Sequence, residues 1–240
     1  DCAGRRYRRS MNPTLNDYHL ITRFRQQVIS RADNIAFREW SPAAESTLTW
    51  RELGEKVDAL SDVLLQENVG IQERIAICGN NSMAWAMTDL AILQLRAVTV
   101  PVYATNTPAQ SAYVLNDADI RILFVVGQSQ YDAAVALREL CPQLKHIFVL
   151  DNDVDLRGVS IARHVSGIVP QDSVVAAERE ARVNACDLND LFTLIYTSGT
   201  TGEAKGVMLD YVSIATQLKQ HEKRLSISDR DVSLCFLPLA

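Results

Sequence analysis

Residues 74–126 read RIAICGNNSMAWAMTDLAILQLRAVTVPVYATNTPAQSAYVLNDADIRILFVV, in which extended and helical patterns alternate. The strands predicted here are 74–78, 98–103 and 121–126, and the helices are 82–95 and 108–116. The apolar run at 121–126 is typical of a strand buried on both faces. Strands separated by helices of about ten to fifteen residues indicate βαβ units. We therefore predict an α/β fold, with a layered αβα sub-domain and a largely parallel sheet.

The same alternation continues on both sides of this stretch. Further helices are predicted at 15–30, 53–64, 130–140 and 173–184, and further strands at 35–39, 47–50 and 146–150. Residues 151–190 are polar and weakly periodic, and we expect a long surface excursion there. We expect residues 1–10 to be a non-native or upstream-translated tail, residues 11–190 to form the α/β sub-domain, and residues 191–240 to hold a hairpin and the start of a further α/β segment.

The charge of the chain excludes one class of partner. The net charge is −5, and the first ten residues carry four arginines and Asp1, a net +3, so the remaining 230 residues hold −8. A body this acidic is a poor match for binding to nucleic acid by phosphate neutralisation. No apolar stretch reaches the length needed to span a bilayer. We expect a cytoplasmic protein, and the sequence leaves open a peripheral contact of the basic N-terminal arm with the inner face of a membrane.

Cysteine and histidine give no metal or disulfide pattern. The five cysteines are scattered, without a CxxC pair, and the four histidines are equally dispersed. Cys78 and Cys235 lie in apolar runs, and we interpret both as buried small hydrophobes. Trp50, Trp85, Tyr103, Tyr113 and Tyr131 are interpreted as core aromatics, and Asp117 and Asp119 as part of a turn that ends a helix.

The chemistry lies in residues 191–209, which read LFTLIYTSGTTGEAKGVML. An apolar β run leads into a glycine- and hydroxyl-rich segment, and a second apolar run follows it. Glycines let a backbone approach an anion closely, and successive N–H groups can form an anion-binding nest. Lys205 adds a positive charge at the rim. We call residues 197–205 the phosphate loop, and its candidate binding residues are Thr197, Ser198, Gly199, Thr200, Thr201, Gly202 and Lys205.

The phosphate loop differs from a Walker A loop. A Walker A loop places a lysine directly after its second glycine, followed by Ser or Thr at the start of a helix. In this chain the order is Lys205-Gly206, and the residues that follow are apolar and β-branched. A P-loop kinase or GTPase is therefore disfavoured. A flexible surface hairpin would explain the glycines but not Lys205.

The segment Tyr196-Thr-Ser-Gly-Thr-Thr-Gly-x-x-Lys205-Gly-Val resembles the phosphate-loop signature of the adenylate-forming superfamily. Thr49-Trp50-Arg51-Glu52-Leu53 is similar to an early element of that family. Pro101-Val-Tyr103-Ala-Thr105 and Gln110 resemble the long-chain fatty-acyl-CoA synthetase branch. Ala204 stands where the family has proline, and Arg96 stands where glycine is common.

The resemblance implies an ATP-dependent ligase that joins a long-chain fatty acid to coenzyme A through an acyl-adenylate. It implies that Lys205 is catalytic, that the phosphate loop holds the phosphates of ATP, and that Thr200 contacts magnesium. The chain is less than half as long as such an enzyme, so we expect an N-terminal fragment that is inactive alone and self-associates. The alternative is a non-catalytic module that kept the loop and binds phosphate or nucleotide.

Overall fold

A computed structural model describes residues 14–40, 45–167, 173–197, 204–228, 230–235 and 239. Its strands are β1 (Ile35–Trp40), β2 (Glu45–Thr49), β3 (Arg74–Cys78), β4 (Val98–Val102), β5 (Ile122–Val125), β6 (His146–Val149), β7 (Ala162–His164), β8 (Leu191–Thr197) and β9 (Lys205–Asp210). Its helices are α1 (Leu20–Ser30), α2 (Trp50–Gln66), α3 (Met83–Gln94), α4 (Pro108–Asp117), α5 (Gln128–Ala136), α6 (Ser173–Asn184) and α7 (Tyr211–Arg224).

One sheet organises the described part of the chain, in the order β7-β6-β5-β3-β4-β8-β9. Its neighbouring strands are parallel from β7 to β8, and β9 runs antiparallel to β8. The strands β1 and β2 form a separate antiparallel pair. The predicted α/β fold with a largely parallel sheet is confirmed.

The two faces of the sheet carry two cores. Successive residues of a strand point to opposite faces, so Ile75 and Ile77 join the core under α2 and α3, whereas Ala76 joins the core under α4 and α5. Both cores consist mainly of residues that are almost fully buried. Helices therefore cover both faces of the sheet, as the predicted αβα layering requires.

Local sequence signals set where two of these helices begin. The hydroxyl of Ser82 accepts a hydrogen bond from the Trp85 backbone N–H at 3.0 Å, which makes Ser82 the N-cap of α3. Thr107 and Gln110 form a capping box at the start of α4, with Pro108 in the first turn. This cap fixes where the chain turns from β4 into α4.

The helix predicted at 173–184 is confirmed as α6. The surface excursion expected at 151–190 is corrected, because these residues also hold β7, a three-residue strand at one end of the sheet, and because Arg179 of α6 is buried against α2. A single apolar residue in β7 gives no alternation to detect, and buried arginines are rare. In addition, a 3₁₀ turn at Asn16–Tyr18 precedes α1, and α7 was not predicted. None of the helices in the described ranges is long and apolar enough to cross a membrane.

Candidate functional site

The phosphate loop joins β8 to β9, the last two strands of the sheet. Its ends are opposite partners in the antiparallel ladder, Thr197 with Lys205, and the preceding pair is Tyr196 with Gly206. The predicted residues Ser198, Gly199, Thr200, Thr201 and Gly202 lie outside the described residues. The structure thus brings together the first and last of the predicted binding residues.

Lys205 is an exposed cation at this end of the hairpin. Among the residues that the structure describes, none forms an ion pair or a side-chain hydrogen bond with it. A solvent-exposed ammonium group is available to a multiply charged anion at little desolvation cost. The charge of Lys205 therefore fits the rim of a polyphosphate site.

The hairpin is fixed to the parallel sheet through β8. Thr193 is paired with Thr99 of β4, and its hydroxyl donates a hydrogen bond to the Thr99 carbonyl at 2.8 Å. At the start of β8, the backbone N–H of Leu191 donates to the Gln72 side-chain oxygen at 2.8 Å. Both contacts hold β8 in register, so the phosphate loop emerges at the carboxyl end of the sheet, where α/β proteins place their ligand sites.

Arg96 forms an ion pair at the amino end of β8, the end opposite to the phosphate loop. Its guanidinium donates to both carboxylate oxygens of Asp190, at 2.7 and 3.1 Å, and the Asp190 side chain is largely buried. Arg96 has a φ of 60°, in the left-handed region that glycine adopts without cost. The backbone conformation accounts for the glycine that is common at this position in the family, and the bidentate pair offsets the cost of the arginine.

A cavity of about 620 Å³ lies beside the phosphate loop, between α4, the end of β4 and the end of β8. It is lined by Pro101, Tyr103, Asn106, Ala109, Gln110, Tyr113, Val114, Tyr196, Thr197 and Ala204. Its size is within the range of small-molecule sites, which combine apolar walls with a few polar groups. Ala204, which stands where the family has proline, is part of this wall.

Two tyrosines and one acid have roles beyond those that the sequence indicated. Tyr103 is 37% exposed and lines the cavity instead of the core, whereas Tyr113 is half-buried, packs against the core and also lines the cavity. The hydroxyl of Tyr196 donates a hydrogen bond to Asp117 at 2.5 Å, so Asp117 does more than end a helix. By contrast, Tyr131 and Trp85 are buried as predicted, at 1% and 4% exposed.

Four cysteines lie in the described part of the chain, and their burial differs. Cys78 is half-buried, and burial raises the pKa of its thiol to about 11. Cys235 is exposed, so its interpretation as a buried residue was wrong. In the described part of the chain, no group of three or more His, Cys, Asp and Glu residues could hold a metal ion. The magnesium assignment therefore depends on Thr200, outside the described residues.

The family model for AMP-binding enzymes matches residues 24–240. The chain belongs to the AMP-binding enzyme family. The matched residues include the seven-stranded sheet, helices on both of its faces and the phosphate loop. This match confirms the resemblance to adenylate-forming enzymes.

Relatives in the AMP-binding family include long-chain-fatty-acid–CoA ligase FadD15 of Mycobacterium bovis, with 30% identity over 87% of this chain and 34% of the relative. Long-chain-fatty-acid–CoA ligase 6 of Mus musculus is 28% identical over 80% of this chain and 29% of the relative. The chain thus spans about a third of the length of these relatives. A solved structure from Rhodopseudomonas palustris, described as a long-chain-fatty-acid CoA ligase, has the same fold, with a TM-score of 0.75. It is 18% identical and is matched over 94% of this chain and 53% of that protein.

Proposed function

We propose that this chain is the phosphate-binding part of an ATP-dependent ligase that converts a long-chain fatty acid and coenzyme A into acyl-CoA, AMP and pyrophosphate. The observation that carries the proposal is the hairpin, in which Thr197 and an exposed Lys205 face each other at the two ends of the phosphate loop. A cavity large enough for a small molecule adjoins them. The family and the names of its relatives support the reaction class.

The reaction we propose has two steps. A fatty-acid carboxylate oxygen attacks the α-phosphorus of ATP, the bond to the β-phosphate oxygen breaks, and pyrophosphate leaves. The thiol sulfur of coenzyme A then attacks the acyl carbon, and AMP leaves. Neither step needs a covalent bond to the protein, so positioning and charge stabilisation carry the catalysis.

The role we assign to Lys205 is to bind the β- and γ-phosphates and to stabilise the negative charge that develops on the leaving pyrophosphate. Backbone N–H groups and hydroxyls of the phosphate loop would surround the same oxygens. Loss of one such contact to a developing anion costs about 2–4 kcal/mol, or roughly 30- to 1,000-fold in rate.

The experiment is ATP–pyrophosphate exchange by the longest polypeptide that the gene encodes, with fatty acids of varied chain length. We expect exchange that requires a fatty acid and that is roughly 30- to 1,000-fold slower in Lys205→Ala. Lys145→Ala is the matched control, because Lys145 is an exposed lysine just before β6, remote from the phosphate loop. Exchange that needs no carboxylate, or that is equal in Lys205→Ala and Lys145→Ala, would argue against the proposal.

The 240-residue chain, assayed alongside, is expected to give no exchange. Among the described residues, no group of three or more His, Cys, Asp and Glu could hold the metal ion that accompanies ATP. Fatty-acid-dependent exchange by this chain that Lys205→Ala abolishes would mean that it is a complete catalyst. Phosphate binding by the longest polypeptide without any exchange would instead support the non-catalytic module.

For magnesium we propose Thr200, because a hard cation requires oxygen ligands. Thr200→Val keeps the shape of the side chain and removes that oxygen, whereas Ser198→Ala removes a hydroxyl that we assign to phosphate. In the exchange assay, Thr200→Val is expected to need a higher magnesium concentration than Ser198→Ala. Equal magnesium requirements in the two variants would assign the metal to another residue.

A further inference from the structure

The last two rungs of the β8–β9 ladder set the geometry from which the phosphate loop starts. Thr197 and Lys205 form the final pair, and Tyr196 and Gly206 form the pair before it. Thr197 directly follows Tyr196 and Lys205 directly precedes Gly206, so whatever fixes the Tyr196–Gly206 pair also fixes both ends of the loop.

The Tyr196 side chain connects this rung to α4. It is 7% exposed and belongs to the core on the α4 side of the sheet. Its ring meets Tyr113 of α4 edge-on, with 6.4 Å between ring centroids. One turn further along α4, the Asp117 carboxylate accepts the hydrogen bond from the Tyr196 hydroxyl at 2.5 Å. Burial and this carboxylate together raise the pKa of Tyr196, which keeps the hydroxyl protonated as a donor.

The Asp117 carboxylate lies at an electrostatically unfavourable position of its helix. Asp117 is the last residue of α4, and the partial negative charge at the C-terminus of a helix repels a carboxylate. No described cation forms an ion pair with it, whereas Asp119 two residues later pairs with Arg74. The contact that offsets this placement is the hydrogen bond from Tyr196, and hydrogen bonds to charged groups are among the stronger ones.

Gly206 makes room for the same ring. A Cβ atom at this position would lie 3.2 Å from Cζ of Tyr196 and 3.4 Å from its hydroxyl oxygen. The Tyr196 ring therefore covers the Gly206 backbone across the ladder. One side chain thus contacts both strands of the hairpin and is fixed at its tip by α4.

We propose that Tyr196 is a positioning residue for the phosphate loop: with Asp117 and Gly206 it fixes the hairpin to α4, so that Thr197 and Lys205 meet the bound polyphosphate at a set spacing. This inference rests on the proposed function, in which the loop holds the phosphates of ATP. It assigns Tyr196 no contact with the reacting atoms.

The test is amide hydrogen exchange of the 240-residue chain without ligand, followed in a peptide covering 191–210. Tyr196→Phe keeps the ring and removes the hydroxyl, and Asp117→Ala removes the acceptor at an exposed site with no core cavity. Both are expected to speed exchange in this peptide by about tenfold, the effect of losing one hydrogen bond to a charged group. Peptides covering β3 and β5 should be unchanged. Asp117→Asn, which keeps an acceptor oxygen, should retain most of the protection. Amide exchange in the double variant Tyr196→Phe with Asp117→Ala should be no faster than in either single variant.

A second measurement separates positioning from stability. Tyr196→Phe is expected to weaken Mg·ATP binding about tenfold while Asp117→Asn binds nearly as wild type. Wild-type exchange rates at 191–210 in Tyr196→Phe and Asp117→Ala, or equal acceleration throughout the sheet, would overturn the inference. If the wild-type chain binds no Mg·ATP, the proposed function fails, and the exchange result still decides whether Tyr196 fixes the hairpin.

Discussion

Asp89 is a carboxyl group placed where its charge is disfavoured. It lies on α3 and accepts a hydrogen bond from the Thr99 hydroxyl at 2.6 Å. Burial raises its pKa from 3.8 to about 6, with the Thr99 hydrogen bond opposing the shift. Because the folded pKa exceeds the unfolded one, the native state binds the proton more tightly. The contribution of Asp89 to stability is therefore most favourable below about pH 4 and is lost as the pH rises through 6.

Asp89→Asn is accordingly expected to stabilise the chain at pH 8 and to change little at pH 4. The gain at pH 8 is at most about 3 kcal/mol, since each pKa unit corresponds to about 1.4 kcal/mol. Urea unfolding of wild type and variant at both pH values measures it, with Asp153→Asn at an exposed position as control. A variant no more stable than wild type at pH 8 would show that the Asp89 charge is well solvated.

At the scale of residues, the sequence predicts features that depend on neighbouring residues but not contacts between residues far apart in the chain. The residue types of the phosphate loop predict Thr197 and Lys205 as binding residues from the local sequence alone. By contrast, Tyr196 and Asp117 are 79 positions apart, and Arg96 and Asp190 are 94 apart. Their pairing follows from the order of strands in the sheet, and that order could not be predicted from the residue pattern of a single sequence.

At the scale of elements, a buried charge network holds α6 against α2. The Arg179 guanidinium donates to Asp62, and both side chains are almost nine-tenths buried. Arg25 of α1 joins the network through Asp58, at 2.7 Å, and Glu180, at 2.8 Å. Burial raises the pKa of Asp62 in spite of Arg179, so the carboxylate depends on its partner to remain charged.

Arg179→Leu is expected to destabilise the chain by about 3–5 kcal/mol, because it leaves a buried carboxylate without its partner. Arg179→Leu combined with Asp62→Leu should recover most of this loss, since neither charge then remains. Arg157→Leu is the control: its pair with Asp132 is exposed, and such pairs are worth at most about 1 kcal/mol. Denaturant midpoints measure all three. A double variant as unstable as Arg179→Leu would mean that the network is not stabilised in this way.

The elements with regular periodicity were predictable, and the others were not. Strand β3 and helix α6 have the predicted bounds, since each has a pattern of its own. Strand β7 has three residues and depends on β6 for its pairing. The burial of Arg179 depends on helices more than a hundred residues earlier in the chain. Such elements are determined by tertiary contacts that local propensity does not contain.

At the scale of the whole molecule, the sheet ends in an exposed strand. In the described part of the chain β9 pairs on one side only, and its Val207 and Met208 are 43% and 67% exposed. An unpaired edge with apolar side chains is a template for association with another chain. We therefore expect the 240-residue chain to self-associate in a concentration-dependent manner.

Met208→Lys should shift this association toward monomer, because a lysine on an edge strand opposes pairing. Ile29→Lys, at a position on α1 that is 81% exposed, is the matched control and should leave association unchanged. Light scattering after size exclusion over a range of concentrations measures the mass. A monomer at every concentration, or equal effects of the two lysines, would contradict a role for β9.

The central claim is that the β8–β9 hairpin of this AMP-binding family member holds a polyphosphate through Lys205. The most direct measurement is calorimetric titration of the 240-residue chain with Mg·ATP, for wild type, Lys205→Ala and Lys145→Ala. We predict saturable binding that Lys205→Ala weakens by about tenfold or more, the effect of losing a charge-assisted contact, and that Lys145→Ala leaves unchanged. Equal affinities of all three proteins for Mg·ATP, or no saturable binding by the wild type, would contradict the claim.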